Sequence, residues 1–186
     1  MTKVNFVILA AGKGTRMRSA LPKVLHKLSG RSMLGHVVAA VESLGEAKKI
    51  IVTGHGAEQV EQQFKSPMTI FTQQKEQLGT GHAVHMAVPE LCSDAVVIVL
   101  YGDVPLIRPG TIKKILGVVT EKAMGLLTIN LDQPTGYGRI VRNTKGDITE
   151  IIEQKDASVE QLKITEVNTG VPVPYTHLTL HTTSSV

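Results

Sequence analysis

Apolar and polar positions along this 186-residue chain alternate between two rhythms. VNFVILA (4–10), KIIVTG (49–54), MTIFTQ (68–73), VVIVLYG (96–102) and GLLTINL (125–131) read as strands, several of them apolar on both faces as buried parallel strands are. Between them the spacing turns helical. Met33, Leu34, Val37, Val38, Val41 and Leu44 recur on one helix face and stop at Gly45, and AEQVEQQF, TGHAVHMAVPEL and PGTIKKILGVV predict further helices. This βαβα order predicts an α/β fold, with a mostly parallel sheet covered on both faces. YGRIVRNTKGDITEIIEQ (137–154) breaks the order and predicts a hairpin turning at Lys145-Gly146. There is no internal repeat and no flexible linker. In such sheets ligands bind beyond the carboxyl ends of the strands, so the residues that follow each strand are the first candidates for function.

Composition changes the picture by exclusion. With 42% hydrophobic residues the chain can bury a sizeable core as one domain of ordinary size. Twenty Lys and Arg against sixteen Asp and Glu leave a net charge of +4 with no long basic block, which suits an anionic small molecule. Three Tyr, three Phe and no Trp make a poor platform for stacking bases, so nucleic acid is not expected as a partner. The single Cys92 excludes an internal disulfide and has no nucleophile motif around it. No apolar run is long enough for a membrane span, and the reading is of a cytoplasmic protein.

The first strand runs into LAAGKGTRM, where two glycines and two cations follow an apolar run. A loop of that kind presents backbone N–H groups beside fixed positive charge, which is how proteins hold phosphate. It is not a P-loop, because Lys13 precedes Gly14 and the second glycine is missing at the required spacing. It is not a dinucleotide fingerprint either, because Met17 stands where Gly or Ala is needed and the next strand ends in VTGHG without an acid for a ribose. What remains is a glycine turn carrying Lys13 and Arg16, followed by LPKVLH with Lys23. Alone, a tight turn with solvated cations would explain it; its position at the binding edge of the sheet favours an anion. The fourth strand ends in LYGDVPLI, which puts Asp103 at the same edge. A carboxylate beside phosphates needs a cation between them, and Mg²⁺ is held in that way. On the motif alone, a turn-capping aspartate explains Asp103 equally well.

LAAGKGTRM with LPKVLH, EQLGTGHA, LYGDVPLI, PTGYGRI, EIIEQKDA and VNTG, in this order and at about this spacing, resemble the nucleotide-sugar pyrophosphorylases. More narrowly, residues 4 to about 171 are similar to the N-terminal domains of the bacterial bifunctional N-acetylglucosamine-1-phosphate uridylyltransferase/glucosamine-1-phosphate acetyltransferases. The first motif is shared by many nucleotidyltransferases; EQLGTGHA with PTGYGRI and NTG is more specific. The resemblance implies a Rossmann-like three-layer nucleotidyltransferase fold. It also implies uridylyl transfer from UTP to N-acetylglucosamine 1-phosphate, with Mg²⁺ as cofactor, giving UDP-N-acetylglucosamine, a precursor of peptidoglycan and lipopolysaccharide, and pyrophosphate.

The same resemblance implies that Leu9, Ala10, Ala11, Gly12, Lys23, Gln74, Gly79, Thr80, Tyr101 and Gly102 bind the nucleotide. It gives Arg16 and Lys23 to the reacting phosphates, Asp103 to the metal, and Gly138, Glu153 and Asn168 to the sugar. Two alternatives stay open: an inactive nucleotide-binding fragment, and a related nucleotidyltransferase of molybdenum-cofactor or other sugar-nucleotide type. His82 and His85, three apart on a predicted helix, lack a third metal ligand nearby and are read as partly exposed helix residues. His26 and His55 are given no role, since a phosphate-to-phosphate displacement asks little of a general base.

The chain departs from the resemblance at its end. Residues 1–171 read as a partial nucleotidyltransferase domain and 172–186 as an unmatched tail, whose PYTHLTLHTTSSV carries no charged residue. The expectation is of a fold incomplete at its C-terminus, through truncation, a frame change or an artefact of cloning, with impaired activity. The absence of the family's C-terminal β-helix leads to the expectation of a monomer, and that of the asparagine that joins the aspartate at the metal to the expectation of an incomplete metal site.

Overall fold

The computed structural model describes residues 3–93, 95–120 and 123–173. The segment PYTHLTLHTTSSV (174–186) and the side chain of Arg16 lie outside the described residues. In chain order, β1 (Lys3–Ala10) precedes a hairpin of two short strands, β2 (Lys27–Leu28) and β3 (Arg31–Ser32). There follow α1 (Met33–Glu42), β4 (Lys48–Thr53), α2 (Ala57–Phe64), β5 (Thr69–Gln73), α3 (Thr80–Ala87), β6 (Ala95–Tyr101) and α4 (Pro109–Leu116). β7 (Gly125–Asn130), β8 (Arg139–Arg142), β9 (Ile148–Ile152), α5 (Val159–Leu162) and β10 (Glu166–Val173) complete the order. Among the described residues no helix is long and apolar enough to cross a membrane. Two compact units result, one built on the chain up to Gly125 and the other on Leu126–Pro172.

The first unit holds a parallel sheet in the order β5-β4-β1-β6. Alternation along each strand sends Val7, Leu9, Ile50, Val52, Val97 and Val99 to one face, where they form a buried cluster with Ala83, Val84 and Ala87 of α3. The residues between them, Phe6, Ile8, Ile51, Ile98 and Leu100, are equally inaccessible on the other face. Both faces are therefore covered, and the unit is the expected three-layer α/β arrangement. Each large apolar side chain buried in this way stabilises the fold by about 2 kcal/mol. α1 starts at Ser32, whose side chain accepts a hydrogen bond from the Gly35 N–H, and buries Leu34, Val37 and Val41 along the predicted stripe.

Two predicted helices end early. The α-helix of TGHAVHMAVPEL stops at Ala87 and continues only as a short 3-10 turn, Val88–Glu90, because Pro89 has no N–H to give. PGTIKKILGVV is helical only to Leu116, where Gly117 caps it.

The second unit corrects the strand count of the parallel sheet. GLLTINL was expected to extend that sheet, but β7 lies in a separate sheet of order β7-β10-β8-β9. Its burial is partial, unlike that of β6, which is what a half-covered sheet requires. The predicted hairpin is present: β8 and β9 pair antiparallel, and the Asn143 side chain accepts from the N–H groups of Lys145 and Asp147 at 2.9 Å each to close the turn.

Candidate functional site

Register brings the carboxyl ends of the parallel strands to one edge. Leu9 of β1 stands level with Val52 of β4 and Tyr101 of β6, and the Gly102 N–H donates to the Leu9 carbonyl at 2.9 Å just beyond the last rung. The Gln74 N–H donates to Thr53 O at 2.8 Å, which ties the chain after β5 to the end of β4. A cleft of about 290 Å³ opens there. Its walls include Leu9, Ala11, Gly12, Lys23, Gln74, Gly79, Thr80, Tyr101 and Asp103 from the sequence prediction. Ala10 is buried with its backbone in the sheet, and Gly102 sits behind the wall against Leu34 and Val24. Arg16 falls in a short 3-10 turn, Thr15–Met17, in the loop after β1.

Close packing of backbones shapes this edge. Gly14 has a left-handed φ of 59°, and a Cβ there would stand 2.7 Å from Lys23 Cβ, so the glycine loop lies directly against the lysine that the prediction gave to phosphate. At Gly54, beyond β4, a Cβ would stand 2.6 Å from the Ala11 carbonyl oxygen and 2.9 Å from its Cα. Only a residue without a side chain lets the two loops approach.

Electrostatics concentrate at Lys23 and Asp103, whose Nζ and Oδ2 form an ion pair at 2.5 Å with both side chains partly exposed. Burial pushes the Tyr101 phenol above its ordinary pKa; the negative charge of Asp103 adds to this and a hydrogen bond with Thr80 works against it. Tyr101 therefore stays neutral at physiological pH and can donate a hydrogen bond but not act as a base. Gln74 is buried, and its amide nitrogen donates to the Gly79 carbonyl at 3.0 Å and meets His82 Nδ1 at 3.1 Å.

Three wall residues escaped sequence reasoning: Val24, Gln77 and Ala83. Gln77 donates from Nε2 to Ala11 O at 2.6 Å, bracing the glycine loop from the far side. Its position inside EQLGTGHA, three residues beyond Gln74, was the available signal. Both histidines lie on α3 as expected, His85 exposed and His82 partly exposed, and His82 is in addition bonded to Gln74.

Gly138, Glu153 and Asn168 lie in the second unit, where they meet one another. The Asn168 N–H donates to Gly138 O at 2.9 Å, and a Cβ on Gly138 would stand 3.3 Å from Glu153 Oε1. Glu153 is exposed and its carboxylate is free to meet hydroxyl groups. Arg142 grips Glu166 through Nε at 2.8 Å and Nη2 at 2.7 Å, and Thr128 Oγ1 donates to the same carboxylate at 2.7 Å. These hydrogen bonds, Arg142's first, hold the Glu166 carboxyl down to about 2 against the opposing effect of burial.

Asp103 is, among the described residues, the only carboxylate of the cleft wall. Among the described residues no three or more His, Cys, Asp or Glu gather as a metal site. One partly exposed carboxylate on the cleft wall fits a hard cation shared between the protein and substrate oxygens, the manner in which Mg²⁺ is commonly held.

Comparison with known proteins places this geometry. The model of the MobA-like NTP transferase domain matches residues 6–153. The bifunctional protein GlmU of Burkholderia ambifaria (strain MC40-6) is 55% identical over 170 residues, which cover 91% of this chain and 38% of that protein. GlmU of Burkholderia vietnamiensis (strain G4) gives the same identity and coverage. This chain thus spans little more than a third of the length of these relatives. Among solved structures, a UDP-glucose pyrophosphorylase complexed with UDP-glucose superposes with a TM-score of 0.78 at 16% identity, covering 100% of this chain and 80% of that one. A nucleotidyl transferase from Methanothermobacter thermautotroptrophicus gives 0.70 at 20%, covering 100% and 77%. At such identities the likeness is one of fold.

Proposed function

We propose a uridylyl transfer for this chain, which belongs to the family of MobA-like NTP transferase domains. The substrates are UTP and N-acetylglucosamine 1-phosphate, and the products UDP-N-acetylglucosamine and pyrophosphate. One observation carries the reading: a buried glutamine amide, a partly exposed lysine and a partly exposed aspartate, Gln74, Lys23 and Asp103, share the cleft beyond the parallel strands. That combination offers a base reader, a phosphate cation and a metal carboxylate within reach of one nucleotide. The identity to GlmU across 91% of the chain supports the choice of uridylyl transfer and of this sugar.

In the proposed reaction a phosphate oxygen of the sugar phosphate attacks the α-phosphorus of UTP in line. The bond to the bridging oxygen breaks and pyrophosphate leaves, so no protein nucleophile is required. The backbone from Leu9 to Gly12, with Gln74, Gly79 and Thr80, holds the uracil and ribose, and neutral Tyr101 donates at the same wall. Lys23 and Arg16 offset charge on the phosphates, and Gly138, Glu153 and Asn168 receive the sugar. Asp103 would hold Mg²⁺, which when bound neutralises phosphate oxygens. The protein's contribution is then alignment and preorganised charge, effects large enough to carry a displacement of this type.

Pyrophosphate release from UTP, N-acetylglucosamine 1-phosphate and Mg²⁺, measured on this chain and on Asp103→Ala, tests the reading. Release that needs both substrates and is lost in the variant is the expected result. Equal release by both proteins would overturn it.

A further inference from the structure

The sequence gives His82 nothing to do, yet its ring nitrogen Nδ1 lies 3.1 Å from the terminal nitrogen of Gln74. That same nitrogen is 3.0 Å from the carbonyl oxygen of Gly79. A carbonyl oxygen can only accept, so the atom of Gln74 facing it must be the NH₂ group. One of its hydrogens goes to Gly79; the other is directed at His82 Nδ1, which must then be the accepting nitrogen, with the ring proton on Nε2. Gln74 is only 5% exposed, so neither hydrogen has water as an easy substitute. Both acceptors belong to the start of α3, where Gly79 O also receives the Ala83 N–H at 3.2 Å, and the pair is therefore fixed to one rigid element.

The consequence lies on the other side of the amide. With both N–H groups committed inward, the part of Gln74 left for a ligand is its carbonyl oxygen, an acceptor only. A uracil ring carries an N3–H donor and pairs with it. Cytosine, of the same size, presents a bare N3 acceptor at that position, and two acceptors would face each other. We propose that His82 is a positioning residue that holds the Gln74 amide in the orientation which selects uracil over cytosine. The inference rests on the uridylyl reading and deepens it: the ligand class is a pyrimidine nucleotide with a ring N–H.

Binding of UTP and of CTP to the same protein preparation, by titration calorimetry, gives a ratio that does not depend on how much of the sample is active. His82→Leu removes the acceptor and frees the amide to turn; the ratio is expected to fall roughly tenfold, the scale of one well-placed hydrogen bond. His82→Asn returns an acceptor, its Oδ1, close to the place of Nδ1, and is expected to keep most of the preference. A wild-type ratio in His82→Leu, or an equal loss in both variants, would overturn the assignment while leaving the uridylyl reading intact. No preference for UTP in the wild-type chain would overturn that reading and this inference with it.

Discussion

Lys23 Nζ and Asp103 Oδ2 meet at 2.5 Å across eighty residues of sequence. In the proposed reaction a triphosphate with its cation would offer each a stronger partner, phosphate for the lysine and metal for the aspartate, and ligand binding would open the pair. The side chains are 40% and 30% exposed, and an ion pair in that setting contributes about 0–1 kcal/mol to stability. Asp103→Ala should accordingly move the unfolding free energy by less than about 1 kcal/mol. Pyrophosphate release should fall by about a hundredfold or more, because loss of alignment at the phosphates is costly. Thermal melts and release assays on one preparation check both halves; a badly destabilised variant or a fully active one would count against this account.

Nucleotide choice supplies a second expectation. Ala11, Gly12, Gln74, Gln77 and Gly79 line the cleft together, and the proposed reaction gives them a uracil to hold. UTP should bind at least about tenfold more tightly than ATP or GTP, a modest discrimination for a shaped pocket. Competition calorimetry reads this directly, and equal affinities would overturn the expectation.

The loop contact at Gly54 gives a third. A methyl group there would press on the backbone of Ala11, which cannot move aside cheaply, and Gly54→Ala should cost roughly 1–3 kcal/mol. Since Ala11 lines the cleft, UTP affinity should drop as well. Gly110→Ala, in α4 with open space around its Cβ, is the matched control and should be neutral or mildly stabilising. A chemical denaturation series with the three proteins decides the point.

In the second unit, Glu166 links stability to acid. Its carboxyl falls from an ordinary value of 4.5 to about 2, Arg142's hydrogen bonds being the main cause. A depressed folded-state pKa means that the contribution is fully present above 4.5 and is lost as the pH falls through about 2. Wild type should therefore exceed Glu166→Gln in stability at pH 7, and the gap should close between pH 4.5 and 2. A gap that stays constant over that range would show that the Arg142 pair contributes nothing titratable.

Legibility in the sequence followed burial. β1, β4 and β6 each carry an apolar run buried on both faces because the sheet is covered on both sides, and such runs announce themselves without reference to any partner. β10 did not: Asn168, Thr169, Gly170 and Pro172 interrupt it, and its place between β7 and β8 is fixed by long-range pairing that no local window contains. β7 was seen as a strand but placed in the wrong sheet, since an apolar run does not state its neighbour. At the cleft, residues in glycine-rich motifs were legible because backbone shape is written in those glycines. Val24 and Ala83 were not, since an aliphatic wall residue looks like any other core residue. His82 was legible as a partly exposed helix residue, but its bond to Gln74 was not, because that partner stands eight positions earlier, before the turn into α3.

β1 pairs with a strand on each side, and the loop that follows it grows from the interior of the sheet. Local opening is least frequent at such a place and most frequent where a segment has few buried contacts, as on the route from Gly12 to Lys23. Warming should therefore loosen the rim of the cleft long before its floor. On the proposed reaction, recognition of the base, which depends on the floor, should persist up to the melting transition, whereas turnover, which depends on cations carried by the rim, should decline at lower temperature. The molecule would go on choosing its nucleotide after it had ceased to use it.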